Sequence, residues 1–198
     1  MNADYKIAAA VMIGGRSSRM GRPKEDIVIP GDGRTFLDRI CDEVDKCFGE
    51  CLCGRYLSVR KGQKKLREGY TIVEDSYEET GPLGGLVSVL EQAALDGYDA
   101  VLLLACDMIF YTESEIINIC DRYNGQDILF ARTDGRYIQP LASIYGVNML
   151  ESAISLAGSG DFRLRKLADH SENAAYYDSE NLKAYSNLNT DAELSTLL

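Results

Sequence analysis

An α/β fold with a mostly parallel central sheet follows from three features of the 198-residue sequence. Apolar strand-like runs alternate with stretches of helical period along most of the chain, an order that lays helices on both faces of one sheet. Two of the runs, 7–13 and 101–104, carry no polar alternation, as strands buried on both faces require. The chemically distinctive residues follow directly after such runs, at the carboxyl edge where parallel sheets bind ligands.

The first strand is 7–13. It runs into Gly14-Gly15-Arg16-Ser17-Ser18-Arg19-Met20-Gly21-Arg22-Pro23-Lys24, paired glycines followed by four cations. Glycines let backbone N–H groups approach phosphate oxygens, and Arg and Lys neutralise their charge, so the segment suits a polyphosphate. It is not a Walker loop, because Gly21 is followed by Arg22, Pro23 and Lys24 in place of Lys and Ser or Thr. It is not the dinucleotide fingerprint either, because Gly14 and Gly15 are adjacent. A basic surface turn is the plain alternative.

Residues 25–29 read as a short extended piece ended by Pro30-Gly31-Asp32-Gly33. From Thr35, Phe36, Leu37, Ile40, Cys41, Val44, Cys47 and Phe48 recur at helical spacing. A weaker strand is expected over 52–59. The Lys61, Lys64, Lys65 and Arg67 run reads as a solvated face. Residues 70–73 are a short strand ending in Glu74-Asp75. Pro82, inside Gly81-Pro82-Leu83-Gly84-Gly85, marks a helix start. The strand over 99–105 runs into Cys106-Asp107. Thr112 and Glu115 have capping-box spacing for the next helix. Strands are expected over 127–131 and 138–145, a helix over 147–156, a further helical piece over 162–167 and a strand over 174–177. Thr190 with Glu193 is a second capping box opening a C-terminal helix.

Composition limits the function. A net charge of −10 and a pI near 4.6 oppose general nucleic-acid binding, which depends on neutralising phosphates. Cations concentrated in one loop of an acidic chain point to a local anion site. No apolar run reaches membrane-spanning length and no signal core follows a cationic start, so the cytoplasm is the expected location and no membrane partner is expected. One histidine, His170, leaves little material for histidine-based metal sites or catalytic triads. Cys41, Cys47, Cys51 and Cys53 crowd together without a C-x-x-C pair, and read as reduced, mostly buried thiols in preference to a metal site.

Asp107, anchored by the apolar strand before it, suits a hard cation such as Mg²⁺, which takes one or two carboxylates with waters and substrate phosphates. A turn or helix-capping aspartate is its alternative. Asp75 has the same double reading, ligand or nucleotide contact against turn residue. A cationic glycine loop with a strand-end Asp suggests metal-dependent reaction of a nucleoside triphosphate, by direct in-line attack of an acceptor.

These residues also resemble a known family. Gly14 to Gly21 with Lys24 looks like the opening motif of the MobA-like nucleotidyltransferases. Glu74-Asp75 with Gly81 to Gly85, Ala105-Cys106-Asp107-Met108, Gln139-Pro140-Leu141 with Tyr145, and Asn187-Leu188-Asn189-Thr190 are similar to its molybdenum cofactor guanylyltransferase branch, in the same order. The resemblance implies a single domain over residues 1–198, a Rossmann-like three-layer domain of nucleotide-diphospho-sugar transferase type. It implies Mg²⁺-dependent transfer of GMP from GTP to molybdopterin or its molybdenum-bound form, releasing pyrophosphate, with other cofactor-assembly proteins as further partners. By position, Met12, Ile13, Gly14 and Gly15 would meet the nucleotide through backbone. Lys24 and Arg19 would act on its phosphates, Asp75 and Gly81 would contact the nucleoside, and Asp107 would hold Mg²⁺. Asn187 and Asn189 would face the acceptor. The family often has an Asn after its second strand, whereas Leu57-Ser58-Val59-Arg60-Lys61 has none, so cytosine in place of guanine stays open. Other phosphorylated acceptors, or an inactive nucleotide-binding partner, are the remaining alternatives.

Overall fold

The computed structural model describes residues 5–13, 23–77, 79–186 and 188. The expectations for Gly14, Gly15, Arg16, Arg19, Gly21, Arg22, Asn187, Asn189 and the helix from Thr190 lie outside these residues.

Alternation of strand and helix produces the expected layers. β1 (Ile7–Met12), β2 (Gly54–Val59), β3 (Thr71–Glu74), β4 (Ala100–Ala105), β5 (Ile128–Thr133), β6 (Tyr137–Gly146) and β7 (Ala174–Ser179) form one sheet in the order β3-β2-β1-β4-β6-β5-β7. β1 pairs in parallel with β2 and β4, β2 with β3, and β5 with β7; β6 runs antiparallel to both β4 and β5. The reversal into β6 is made by Asp134-Gly135. Both have positive φ, 51° and 60°, and Arg136 N–H donates to the Thr133 carbonyl at 3.0 Å, a tight turn suited to a hairpin.

The helices α1 (Phe36–Cys47), α2 (Pro82–Asp96), α3 (Glu113–Arg122) and α4 (Leu150–Gly158) divide between the faces. Ala9 and Val11 of β1 and Leu102 and Leu104 of β4 face α1 and α3, while Ala8, Ala10, Val101 and Leu103 face α2 and α4. The unalternating apolar runs are therefore buried on both sides. Each fully buried Val or Leu contributes roughly 1.5–3 kcal/mol of transfer free energy. A smaller cluster of Ile27, Ile29, Phe36, Ile109 and Leu188 closes over the carboxyl end of the sheet.

Several local expectations are corrected. Residues 25–29 are not simply extended: Lys24–Asp26 is a 3₁₀ turn begun by Pro23, and Val28 then bridges to Thr35. The capping box of α1 is Thr35 with Asp38, whose amide donates to the Thr35 hydroxyl at 3.0 Å. Thr112 is the N-cap of α3, but no side chain caps there in the expected way. Glu115 turns inward and accepts from the hydroxyls of Ser179 and Tyr185 at 2.9 Å each and of Tyr177 at 3.4 Å. The Glu113 N–H is taken at 2.8 Å by Glu43 of α1. The piece expected over 162–167 is a 3₁₀ segment, Leu164–His170, and the helix expected from 147 opens as 3₁₀ before α4 begins at Leu150. The cationic run is not merely a solvated face, because Arg67 reaches Asp38, Asp42 and Asp45 of α1.

Candidate active site

Sheet order sets the position of the site. The chain passes from β1 to β2 and β3 on one side, then returns to β4 on the other, so the crevice opens where the carboxyl ends of β1 and β4 diverge. Backbone bonds carry the strands slightly past their ends. Ile13 N–H donates to the Ser58 carbonyl at 3.0 Å, Cys106 N–H to the Met12 carbonyl at 3.2 Å and Asp75 N–H to the Val59 carbonyl at 2.8 Å. Met12 and Ile13 are thereby held at the carboxyl end of β1.

Asp107 and Lys24, 83 residues apart, meet at this crevice. Lys24 Nζ lies 2.6 Å from Asp107 Oδ2, with side chains 21% and 13% exposed. A charge-assisted bond at this depth contributes about 1.5–3 kcal/mol, more than a freely solvated pair. Thr112 holds the N-cap position of α3 without a side-chain capping bond, so Asp107 is not the helix cap. Asp107 does lie in a turn, and the turn reading stands beside the ligand one. The Asp107 carbonyl accepts the Leu188 N–H at 3.3 Å, and Leu188 is buried beside Ile27, Phe36 and Ile109. The residue between Asn187 and Asn189 is therefore seated on the backbone of Asp107. Sequence reasoning gave Leu188 no role of its own; an apolar side chain framed by two amides is the signal that marks it.

Asp75 stands at the end of β3, and its Oδ1 accepts the Tyr77 N–H at 2.8 Å. This is the turn geometry of its alternative reading. Burial pushes its carboxyl above the ordinary range, and the Tyr77 bond only partly offsets this. Three inter-strand spacings separate β3 from β4, so the backbones of Asp75 and Asp107 are on the order of 14 Å apart, too far for one ion to hold both carboxylates. Among the described residues no group of three or more His, Cys, Asp or Glu has metal-binding geometry. A strand-end carboxylate paired with a lysine nonetheless fits Mg²⁺, whose other ligands are waters and phosphate oxygens.

Gly81, with φ of 62°, precedes Pro82 at the start of α2. Gly84 and Gly85 are buried, and their role is close packing. A Cβ on Gly84 would come 2.1 Å from Thr80 Oγ1 and 2.9 Å from Asp75 Oδ1; one on Gly85 would come 2.3 Å from Met12 Cε. Their lack of side chains lets α2 press against the ends of β1 and β3. Ser88 of α2 then accepts the Ser76 N–H at 3.1 Å, tying the Asp75 turn to the helix.

A model of the MobA-like NTP transferase domain matches residues 9–175. The chain belongs to this family. It is accordingly a nucleotidyltransferase. Relatives named "probable molybdenum cofactor guanylyltransferase" include one from Rhodopirellula baltica, 26% identical over 193 residues, covering 95% of this chain and 90% of the relative. Another, from Bacillus cytotoxicus, is 27% identical over 199 residues, covering 97% and 96%. The crystal structure of molybdopterin-guanine dinucleotide biosynthesis protein A from Archaeoglobus fulgidus shares the fold, with a TM-score of 0.74, 19% identity and 96% of each chain covered. The expected family and fold are thereby borne out. No described helix is long and apolar enough to cross a membrane.

Proposed function

We propose that this nucleotidyltransferase moves GMP from GTP to the terminal phosphate of molybdopterin or its molybdenum-bound form, giving the guanine dinucleotide cofactor and pyrophosphate. The supporting observation is the Lys24–Asp107 pair at the divergence of β1 and β4, in a family whose named relatives are guanylyltransferases.

The acceptor phosphate oxygen attacks the α-phosphorus of GTP in line, and the bond from that phosphorus to the bridging oxygen of pyrophosphate breaks. No covalent enzyme intermediate is needed. The residues contribute positioning and charge compensation. Lys24 and Arg19 neutralise the triphosphate and the charge that grows on departing pyrophosphate. The amides of Gly14 and Gly15 hold the phosphates, while Met12 and Ile13 anchor that loop. Asp75 and Gly81 define the nucleoside side, and Asn187 and Asn189, framing Leu188, define the acceptor side. Asp107 would hold Mg²⁺, which supplies charge neutralisation at the phosphate oxygens when bound.

The test is pyrophosphate release with Mg²⁺, molybdopterin and each of the four nucleoside triphosphates. Release with GTP alone is expected; preference for CTP would reassign the base, and no acceptor-dependent release would refute the reading. Asp107→Asn, checked for folding by circular dichroism, is expected to lower turnover at least about a hundredfold, as loss of several kcal/mol of charge stabilisation implies.

A further inference from the structure

Gln139-Pro140-Leu141 and Tyr145 carry part of the family resemblance, yet the proposed reaction gives them no task. They lie on β6 where its pairing changes. The β4–β6 ladder stops at the Leu104–Ala142 pair. On the other side Leu129 pairs with Ile144 and Ala131 with Gln139, so β6 uses five residues where β5 uses two. Such a surplus is a bulge, and Pro140, with no N–H to lose from a ladder, suits it. The hydroxyls of two buried residues hold its shape. Ser143 accepts the Ala131 N–H at 3.0 Å and donates to the Gln139 carbonyl at 2.7 Å, and Tyr145 donates to the Pro140 carbonyl at 2.8 Å.

The bulge decides where the Gln139 side chain goes. Leu102 and Leu129 share Ile144 as partner, so Ala131 and Gln139 stand level with Leu104, and Thr133 with Cys106. Gln139 shares the α1–α3 face with its partner Ala131. Its Nε2 donates to Thr133 Oγ1 at 3.1 Å, which carries the carboxamide forward to the level of Cys106. Because β6 neighbours β4, the amide lies within one or two strand spacings, about 5–10 Å, of the Cys106-Asp107 backbone. The Thr133 hydroxyl donates in turn to the Tyr137 carbonyl at 3.4 Å, so it offers Gln139 a lone pair and settles which end of the amide faces it. Oε1 is the end left over. No donor among the described residues reaches it. It is not sealed in either, because the buried polar atoms without partners among those residues are Arg55 Nε and the Tyr111 hydroxyl.

We propose that Gln139 is a specificity residue of the acceptor site, its Oε1 taking a hydrogen bond from a ring N–H or amino group of the acceptor molecule. This rests on the guanylyl transfer proposed above. The nucleoside side lies across β1, toward Asp75 at the end of β3, whereas Gln139 lies across β4. The pyrimidine half of a pterin presents both an amino group and a ring N–H, and an amide already fixed by Thr133 loses little freedom on meeting them. An amide oxygen cannot donate, so a ring edge that offers only lone pairs is turned away.

The test uses the full chain with GTP, Mg²⁺ and molybdopterin. Gln139→Leu keeps the size of the side chain and removes the amide. It is expected to raise KM for molybdopterin about tenfold, the effect of one lost hydrogen bond to bound substrate, while KM for GTP stays within about twofold. A packing defect alone would move both. Hydrogen exchange on the parent protein gives a second measurement that needs no variant. Molybdopterin without nucleotide is expected to slow the amides of residues 137–141, and GTP alone to leave them as they were. Unchanged KM for molybdopterin in the folded variant, an equal rise in KM for GTP, or protection of 137–141 by GTP alone would each overturn this inference and leave the guanylyl transfer standing. A parent that releases no pyrophosphate on addition of molybdopterin would refute the transfer itself, and this inference with it.

Discussion

Asp75 carries a charge that its surroundings disfavour. Its carboxylate accepts one backbone N–H and is pushed above the usual range by burial. A raised folded-state value means that the ionised group lowers stability at neutral pH, and that this deficit disappears as pH falls through that value. Asp75→Asn retains an acceptor for Tyr77 and removes the charge. It is expected to be equally stable or more stable at pH 7, by up to about 1 kcal/mol, and to bind GTP more weakly under the proposed role. Urea denaturation and nucleotide titration check the two halves; a clearly destabilised variant with unchanged affinity would reduce Asp75 to a turn residue. Its companion Asp107 was legible because the six apolar residues of β4 run up to Cys106-Asp107 and fix where its backbone must emerge. Arg67 was not. Its partners Asp38, Asp42 and Asp45 lie a full helix earlier in the chain, a pairing created by packing and absent from local pattern.

At the scale of elements, strands and helices were readable wherever period alone decides them, and the errors fall where a side chain has a competing long-range partner. Glu115 has the spacing of a capping box with Thr112, yet three hydroxyls from β7 and the 3₁₀ segment Leu182–Tyr185 offer it a buried site. That segment leads directly to Leu188 and its bond with Asp107. Glu115→Ala leaves three hydroxyls without their acceptor and is expected to cost about 2–4 kcal/mol. Denaturant unfolding measures the loss, and faster amide exchange over residues 182–188 should accompany it. The 3₁₀ turn at 24–26 falls in a stretch that reads as extended for another reason: three residues define no period, and Pro23 sets its form. The helical reading of 162–167 holds as the 3₁₀ segment Leu164–His170 with shifted bounds. The turn of β6 is different again. Asp134-Gly135 is a hairpin signal in the sequence itself, and it accounts for the one antiparallel strand in the sheet.

Across the whole molecule, acidic residues outnumber basic ones, yet several are bound into the fold. Burial opposes ionisation of Asp42, Glu43 and Asp127, but Arg34 and Arg67 at the first, Lys46 and the Glu113 N–H at the second, and Asn148 with the Asn173 N–H at the third hold each below the ordinary range. Depressed folded-state values stabilise the protein above the unfolded carboxyl range, and that contribution is lost as pH falls through them. Thermal melts are therefore expected to keep a level Tm from about pH 7 to about pH 5 and to decline below about pH 4. A level Tm down to about pH 2 would show that these contacts do not couple to folding. The same charge balance bears on the crevice. A chain of net charge −10 repels a polyphosphate at long range, while the contact of Lys24 with Asp107 is electrically neutral at rest. Under the proposed reaction an anion arriving alone would compete with Asp107 for Lys24, and a cation arriving alone would compete with Lys24 for Asp107. A triphosphate already carrying its divalent ion would, under that reaction, let Lys24 and Asp107 exchange partners together instead of one at a time.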